Sequence, residues 1–499
     1  MSPTQPLPAP LTGEAAARRS RFDMEIPVDD AVMARLSAVC HEVVTADDWR
    51  VAAGRDWWPL STVWAVEGTV PALPSAVARP TDATQVAAVL EVCDAAGVPV
   101  TPVAGTSGVC GGSIPIFGGI SLDLTGLDGI VDVDDASLLV DVRAGTFGDA
   151  FEDALTSEHG LTAGHWPQSI ALSTVGGWIA CRGAGQYSTR YGKIEDMVVG
   201  LEVALADGRL IRTGGTAPRA ATGPDLTQLF VGSEGTLGVI TEARLRVHPA
   251  PPAQRRAAFG FPRFRDGLDA CRRILRRGAT PAVLRLYDST ESTRSFQVDD
   301  VSALIVIDEG DPALIDAVMG VVGKECEAAV ALDPGLPGRW LDHRNEVPPI
   351  ESLVRAGIVA DTVEIAGSWK ALPRIYESAV EALMAVAGTI AASAHQSHAY
   401  IDGGCLYFTF AGRPPDGGHS GAEAYYRRAF DAVMTATTDA GGAVSHHHGI
   451  GLNRARYMRD YLGPAFAVLA ATKRALDPRG ILNPGKLGLP SSFGEAWEG

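Results

Sequence analysis

The sequence predicts an α+β chain built from two units, residues 70–250 and 251–460, with a lead-in and helix over 1–50 and a C-terminal segment over 461–499. Three observations predict it. Short apolar runs of strand character alternate with helical apolar spacing from residue 74 to about residue 247. Pro249, Pro251 and Pro252 then interrupt the pattern and mark a boundary. Beyond about residue 256, helix patterns such as Arg265 to Arg277 alternate with longer apolar strand patterns, Ala303 to Asp308 and Cys405 to Phe410.

Within the first unit, Ser75 to Pro80 reads as a strand. Thr81 to Cys93 follows as a helix, with Thr81 or Asp82 as its N-cap and apolar residues at helical spacing. Pro99 to Val103, Ile120 to Leu124 and Leu138 to Val142 read as further strands, and Met197 to Leu205 opens the second half of the unit. No internal repeat is visible, and low complexity is confined to the first twenty residues.

Composition bounds the function. A chain of 499 residues with 46% hydrophobic residues can bury a large core. A net charge of −17 argues against a nucleic-acid face, which needs clustered Lys and Arg. No run approaches ~18 consecutive apolar residues, so no membrane-spanning helix is expected. Met1 to Glu14 lacks an apolar core and reads as a disordered lead-in rather than a signal peptide. Seven scattered cysteines, an odd count without a CxxC pair, suit a reduced, cytoplasmic protein.

Two glycine-rich runs carry the chemistry. Pro102 to Ser113 and Gly232 to Thr241 each combine glycines with small hydroxyl residues, roughly 130 residues apart, and a third such segment, Gly164 to Trp178, lies between them. Glycine lets main chain approach a ligand closely and point N–H groups at anionic oxygens. One such loop is an ordinary turn. Three of them suggest one long phosphate-bearing cofactor held at several points.

The order PxxGTSG, HxPxSxxxSTVGGW and GSEGTLGVIT resembles the FAD-binding domain of the vanillyl-alcohol-oxidase (PCMH-type) flavoprotein superfamily. The segments His165 to Trp178, Arg190 to Asp196 and Ser445 to Gly451 resemble its alkyldihydroxyacetonephosphate synthase branch, and the likeness runs from about residue 50 to about residue 487. The resemblance implies a two-subdomain FAD-binding domain, an α+β cap over an antiparallel sheet, and a terminal segment, Leu476 to Lys486, that returns to the flavin domain. It implies that FAD is lined by Pro102, Val103, Ala104, Gly105, Thr106, Ser107 and Gly108; by Pro167, Gln168, Ser169, Ser173, Thr174 and Gly177; by Cys181, Arg182, Gly183 and Ala184; and by Glu234, Gly235, Thr236, Gly238, Val239 and Ile240. The first loop departs from the family form, which has three consecutive glycines before Thr-Ser. It also carries no attachment His, and Cys110 suits a small buried thiol, so the FAD is expected to be non-covalent. His165 matches a family His that is not the attachment point.

Tyr407 sits on an apolar alternating strand, where a core aromatic is the ordinary reading; the synthase resemblance makes it the catalytic acid or base. A phenol with pKa ~10 needs a nearby cation to act as a base at neutral pH. His446, His447 and His448 can hold phosphate or move protons, and Arg285 matches a family Arg near the flavin. In the 2-hydroxy-acid dehydrogenase branch a zinc site occupies this region. Here Tyr407 stands where that branch places its second zinc-binding His and His447 where it places a Glu, so no metal is expected. Ile350 stands where the synthases carry a phosphate-binding Arg, with Arg344 and Arg355 nearby as substitutes.

The function expected is therefore an FAD-dependent oxidoreductase that moves a hydride from a small hydroxylated substrate to flavin N5. The alternative is the redox-neutral synthase, which exchanges an acyl for an alkyl chain in ether-lipid synthesis; a D-2-hydroxy-acid (lactate or glycolate) dehydrogenase ranks below both, and a flavoprotein without catalysis ranks last. The partners implied are a small molecule and, at most, a second copy of the chain in a homodimer.

Overall fold

Three β-sheets of four or more strands, with a two-stranded pair of Leu161–Thr162 and His248–Pro249, organise the described residues. The computed structural model describes residues 20–22, 24–214, 217, 219–347 and 350–497. The lead-in Met1 to Glu14 lies outside the described residues.

The first sheet runs Glu42–Val44, Ala76–Arg79, Ile120–Asp123, Val100–Val103, and its last three strands are parallel. All four residues of Ile120–Asp123 are buried, as a parallel strand covered on both faces requires. The crossover helix is Ala83–Ala96. The Asp82 side chain caps it by accepting from the Gln85 N–H, and Gly97 ends it in the left-handed conformation at φ +66°. Its buried face of Val86, Val89, Leu90 and Cys93 packs against Ala76, Val100, Ile120 and Leu122.

The second sheet is five antiparallel strands in the order Ile130–Asp134, Leu139–Arg143, Val239–Arg246, Val198–Ala204, Leu210–Thr213. The third is seven antiparallel strands: Val330–Ala331, Ala253–Phe261, Ser302–Gly310, Val283–Tyr287, Thr389–Ala399, Gly403–Gly412, Val359–Ser368. Period-two alternation divides its two faces. Leu284, Leu286, Val363, Ile365, Leu406, Phe408 and Phe410 bury into one core with residues of the helices Phe264–Arg276, Leu372–Ala385 and Gly418–Asp439. The intervening Arg285, Tyr287, Thr362, Tyr407 and Thr409 line the cavity described below.

The C-terminal segment stitches these parts together. Leu482 bridges Val100, and the Asn483 amide donates to the Gly112 and Glu234 carbonyls at 2.9 and 2.7 Å. Lys486, fully buried, donates to the Ile114 carbonyl at 2.6 Å. No helix among the described residues is long and apolar enough to cross a membrane.

Candidate functional site

A cavity of about 1550 Å³ brings the glycine loops and the third sheet face to face. That exceeds the roughly 300–1,000 Å³ of a site for one small ligand, so it has room for a cofactor and a second molecule. All seven residues from Pro102 to Gly108 line it, with Pro167, Gln168, Ser169, Ser173, Thr174, Gly177, Cys181, Gly183, Ala184, Glu234, Gly235, Gly238, Val239 and Ile240. Arg285, Tyr407, His447 and His448 line it too.

Three expected site residues stand behind the wall instead. Arg182 ends the helix Val175–Cys181 in the left-handed conformation at φ 57°, and its guanidinium lies 3.8 Å from Glu195. Thr236 folds its hydroxyl back onto the Ser233 carbonyl at 2.7 Å, while its own carbonyl accepts from Lys473. His446 is covered by His398 and Tyr400, whose rings stack on it at 5.0 and 5.6 Å. Sequence spacing identifies a loop but not which of its residues turn inward.

The loops are built for close approach, first of all to one another. A Cβ on Gly105 would lie 2.1 Å from the Leu172 carbonyl oxygen, and one on Gly235, at φ +73°, would lie 2.9 Å from Pro102 Cγ. These glycines therefore let one loop seat on the next, rather than leaving room only for a ligand. Thr106 and Glu234 hold the same left-handed region at φ 50°, conformations that persist for non-glycine residues where the surroundings fix them. The Glu234 carboxylate accepts from the Ile450 and Gly451 N–H groups at 2.5 and 2.8 Å. Several buried donors here have no hydrogen-bond partner among the described residues, among them the Thr106 and Ser113 hydroxyls. Small hydroxyls without partners beside glycine-rich main chain fit a cofactor of many oxygens.

The facing wall depends on a bulge. Register shifts between Gln396 and His398 against Gly403–Gly412, so His395 and His398, three residues apart, both reach the cavity. In an unbroken strand they would face opposite ways. His395 pairs with Tyr407 across the strands, and their rings stack at 5.0 Å. Its Nδ1 donates to Glu291 at 2.8 Å and its Nε2 accepts from Arg285 at 2.8 Å, which fixes a neutral tautomer. Although burial would raise the Glu291 carboxyl, the His395 ring and Arg294 hold it at about 2.

Burial pushes the Tyr407 phenol well above its ordinary range, and its oxygen accepts from the Thr362 hydroxyl at 3.0 Å. The hydrogen bond from Thr362 offsets only part of that shift, so Tyr407 rests protonated. Burial likewise lowers His448 to about 4 and His447 well below 6.5. At rest the Tyr407 phenol is therefore protonated and both imidazoles are neutral.

Glu364 organises those imidazoles. It pairs in register with Tyr407 and accepts from the main-chain N–H groups of His446 and His448 and from the Ser445 hydroxyl. Arg454, fully buried, sits 3.0 Å from the same carboxylate. Burial alone would raise Glu364; Arg454, His448 and His446 hold it at about 2. Sequence reasoning did not find Arg454, which stands ninety residues away and outside any motif. His398, His446 and His447 also bring ring nitrogens within 4.8 Å of one another, a donor density the spacing against Tyr407 did not predict.

Ile350, Arg344 and Arg355 all line the cavity. Arg355 pairs with Glu351 at 2.7 Å. Arg344 lies 4.9 Å from both the Trp166 and Tyr187 rings and donates to the Tyr187 hydroxyl. Among the described residues neither Arg344 nor Arg285 has a carboxylate within ion-pair reach.

Comparison with known proteins agrees with this geometry. The model of an FAD binding domain matches residues 74–214, and that of the C-terminal domain of FAD linked oxidases matches residues 250–487. The uncharacterized FAD-linked oxidoreductase YgcU of Escherichia coli (strain K12) is 30% identical over 83% of this chain and 89% of its own. An alkyldihydroxyacetonephosphate synthase of Caenorhabditis elegans is 28% identical over 83% of this chain and 76% of its own. The glycolate oxidase subunit GlcD of Bacillus subtilis (strain 168) is 28% identical over 83% and 91%. A solved alkyldihydroxyacetonephosphate synthase superposes with a TM-score of 0.77 at 23% identity, covering 92% of this chain and 86% of that one. A p-cresol methylhydroxylase superposes at 0.74 and 18% identity, covering 93% and 98%, which places the α+β fold among the PCMH-type FAD-binding proteins. With both of its halves matched and its cofactor loops facing a polar, imidazole-rich wall across one cavity, the chain belongs to the FAD-linked oxidases and is an FAD enzyme.

Proposed function

We propose that this enzyme oxidises a small hydroxylated substrate that carries a negative charge. The observation that carries the reading is the convergence of Tyr407, His447, His448 and Arg285 on one cavity wall, opposite the loops suited to FAD. FAD, when bound, supplies the acceptor for the hydride that leaves the carbinol carbon. His447 and His448, kept neutral by burial, are poised to take the hydroxyl proton as the carbonyl forms. Tyr407, kept protonated, donates a hydrogen bond to the reacting oxygen. Arg285 and Arg344 hold the anion, since a guanidinium without a carboxylate partner seeks one in its ligand. FAD is held without a covalent bond, because the 102–108 loop has no His and burial pushes the cavity thiols of Cys110 and Cys181 up, Cys181 to about 12.

Arg344 also keeps a second reading in view. It offers a cation near Ile350, where the synthases carry their phosphate-binding Arg, and so supports alkyl-for-acyl exchange on a phosphorylated ketone. The two readings part in one experiment. Anaerobic mixing with a panel of hydroxy acids and alcohols should bleach the flavin with one or more of them. Efficient exchange of a labelled fatty alcohol into acyl-dihydroxyacetone phosphate, with no net bleaching by any alcohol, would replace the oxidase with the transferase.

A further inference from the structure

Arg285 is half-buried on the cavity wall and commits one edge of its guanidinium to the protein. Its Nε donates to the Tyr287 hydroxyl at 3.1 Å and its Nη2 to His395 Nε2 at 2.8 Å. The Trp340 ring lies 5.4 Å from the guanidinium carbon. Of the five N–H groups of a guanidinium, both on Nη1 and one on Nη2 are left without a hydrogen-bond partner among the described residues. Nη1 and Nη2 together form the fork that meets a carboxylate or phosphate at two points.

The acceptor that holds this edge exists in only one tautomer of His395, and Glu291 selects it. An ionised carboxylate can only accept, so the ring proton sits on Nδ1, 2.8 Å from Glu291, and Nε2 keeps its lone pair for Arg285. Glu291 is 2% exposed and is itself held in place. Its Oε1 accepts from Ser393, Thr409 and Arg294 at 3.1, 3.0 and 3.1 Å. Its main-chain N–H donates at 2.8 Å to the Asp288 carboxylate, which also accepts from the Ala394 N–H at 2.7 Å. Asp288 thus ties the start of the helix Ser289–Phe296 to the strand that carries His395. The imidazole lies between the Tyr287 and Tyr407 rings, stacked at 5.1 and 5.0 Å.

We propose that Glu291 and His395 are positioning residues of the anion site: Glu291 sets the tautomer of His395, and His395 aims the Arg285 fork at the substrate's charge. The inference rests on the reading that Arg285 holds the substrate's anion. The other neutral tautomer, protonated on Nε2, would set N–H against N–H and turn the guanidinium away. Glu291→Gln produces that arrangement. Arg294 can only donate, and with Ser393 and Thr409 it keeps the amide oxygen where Oε1 stands. The amide nitrogen then faces His395 and donates to Nδ1, the ring proton resides on Nε2, and Arg285 loses its acceptor.

Steady-state kinetics of the flavin-loaded enzyme test the relay, using the hydroxy acid that bleaches the wild-type flavin fastest. Glu291→Gln should raise KM about tenfold with little change in kcat, even though it removes a negative charge beside the anion. In an Arg285→Met background the same substitution should change KM by less than about twofold, because the residue it acts through has gone. His395→Phe keeps a flat ring between the two tyrosines and removes the same acceptor. It should reproduce the rise in KM, and it keeps the question answerable if Glu291→Gln does not fold. An unchanged KM in either variant overturns the relay, and a lowered KM would show that the carboxylate only repels the anion. Equal rises with and without Arg285 would make Glu291 a support of the wall and nothing more. Each of these outcomes leaves the functional reading standing. Arg285→Met with a wild-type KM, or no hydroxy acid that bleaches the flavin, removes that reading and the relay with it.

Discussion

Glu364 and Arg454, neither exposed to solvent, close an ion pair of 3.0 Å against the main chain of three consecutive histidines. The carboxylate accepts from two of those residues' N–H groups and the guanidinium donates to the Glu364 and Val444 carbonyls at 2.9 and 2.6 Å. A flexible Ser-His-His-His-Gly run thus becomes a fixed wall, and the imidazoles gain direction from charges that never touch a substrate.

Glu364→Gln should therefore destabilise the protein strongly. It leaves Arg454 as an uncompensated buried charge, and breaking such a pair costs about 3–5 kcal/mol. Chemical denaturation of the two proteins measures it. A difference under about 1 kcal/mol would show that the pair is not needed to hold the turn.

Tyr407→Phe should keep the flavin and the fold while lowering turnover by about 10²–10⁴-fold, the usual contribution of a group that assists proton transfer. Flavin absorbance reports the first and steady-state kinetics the second. A loss smaller than about tenfold would return Tyr407 to an aromatic of the cavity wall.

Under the proposed function, His447 and His448 set the acid side of the pH profile. His448 titrates in the folded protein at about 4, below its ordinary 6.5, because burial disfavours the charged ring. Its contribution to stability is present above pH 6.5 and is lost as the pH falls through about 4, since the unfolded chain binds that proton first. The stability gap between wild type and His448→Gln should accordingly shrink between pH 6.5 and 4. kcat/KM should hold as the pH is lowered through 6.5 and fall only near 4; a midpoint at 6.5 would assign the acid limb to a solvated histidine.

Arg344→Met should raise KM for the charged substrate roughly ten- to hundredfold with little change in kcat. Hydrogen bonds to a charged group are worth about 1.5–3 kcal/mol, and this one is made as strongly before the reaction as during it. An equal fall in kcat at constant KM would move Arg344 from holding the substrate to assisting the chemistry.

Gly105→Ala should lose FAD and stability together, because the added methyl group meets the Leu172 carbonyl at 2.1 Å and drives two cofactor loops apart. Thermal melting and flavin content follow the two losses. A variant that stays folded and retains the cofactor would show that the loops separate without loss.

The local signals were the legible ones. The Asp82 cap and helical apolar spacing located the helix Ala83–Ala96 to within a few residues, and the three glycine-rich runs all contribute to the cavity lining. Tyr407 and His447 were legible through a family pattern rather than through spacing. Long-range features were not legible. Nothing near Arg454 announces Glu364, and His395 with His398 reads as two residues on opposite strand faces until a bulge turns both inward. Arg182 and Thr236 lie in the right loops, but their roles as a helix end and a loop fold depend on backbone angles that residue type only weakly fixes.

The stitch made by Asn483 also has a consequence for the timing of biosynthesis. Its amide joins the Gly112 carbonyl to the Glu234 carbonyl, so two loops encoded far upstream wait for residue 483. At about 5–20 residues per second, residue 483 emerges roughly 20–75 s after residue 105. Through that interval the nascent chain carries glycine loops without their clasp. A chain released before residue 483 therefore lacks the amide that joins these two loops.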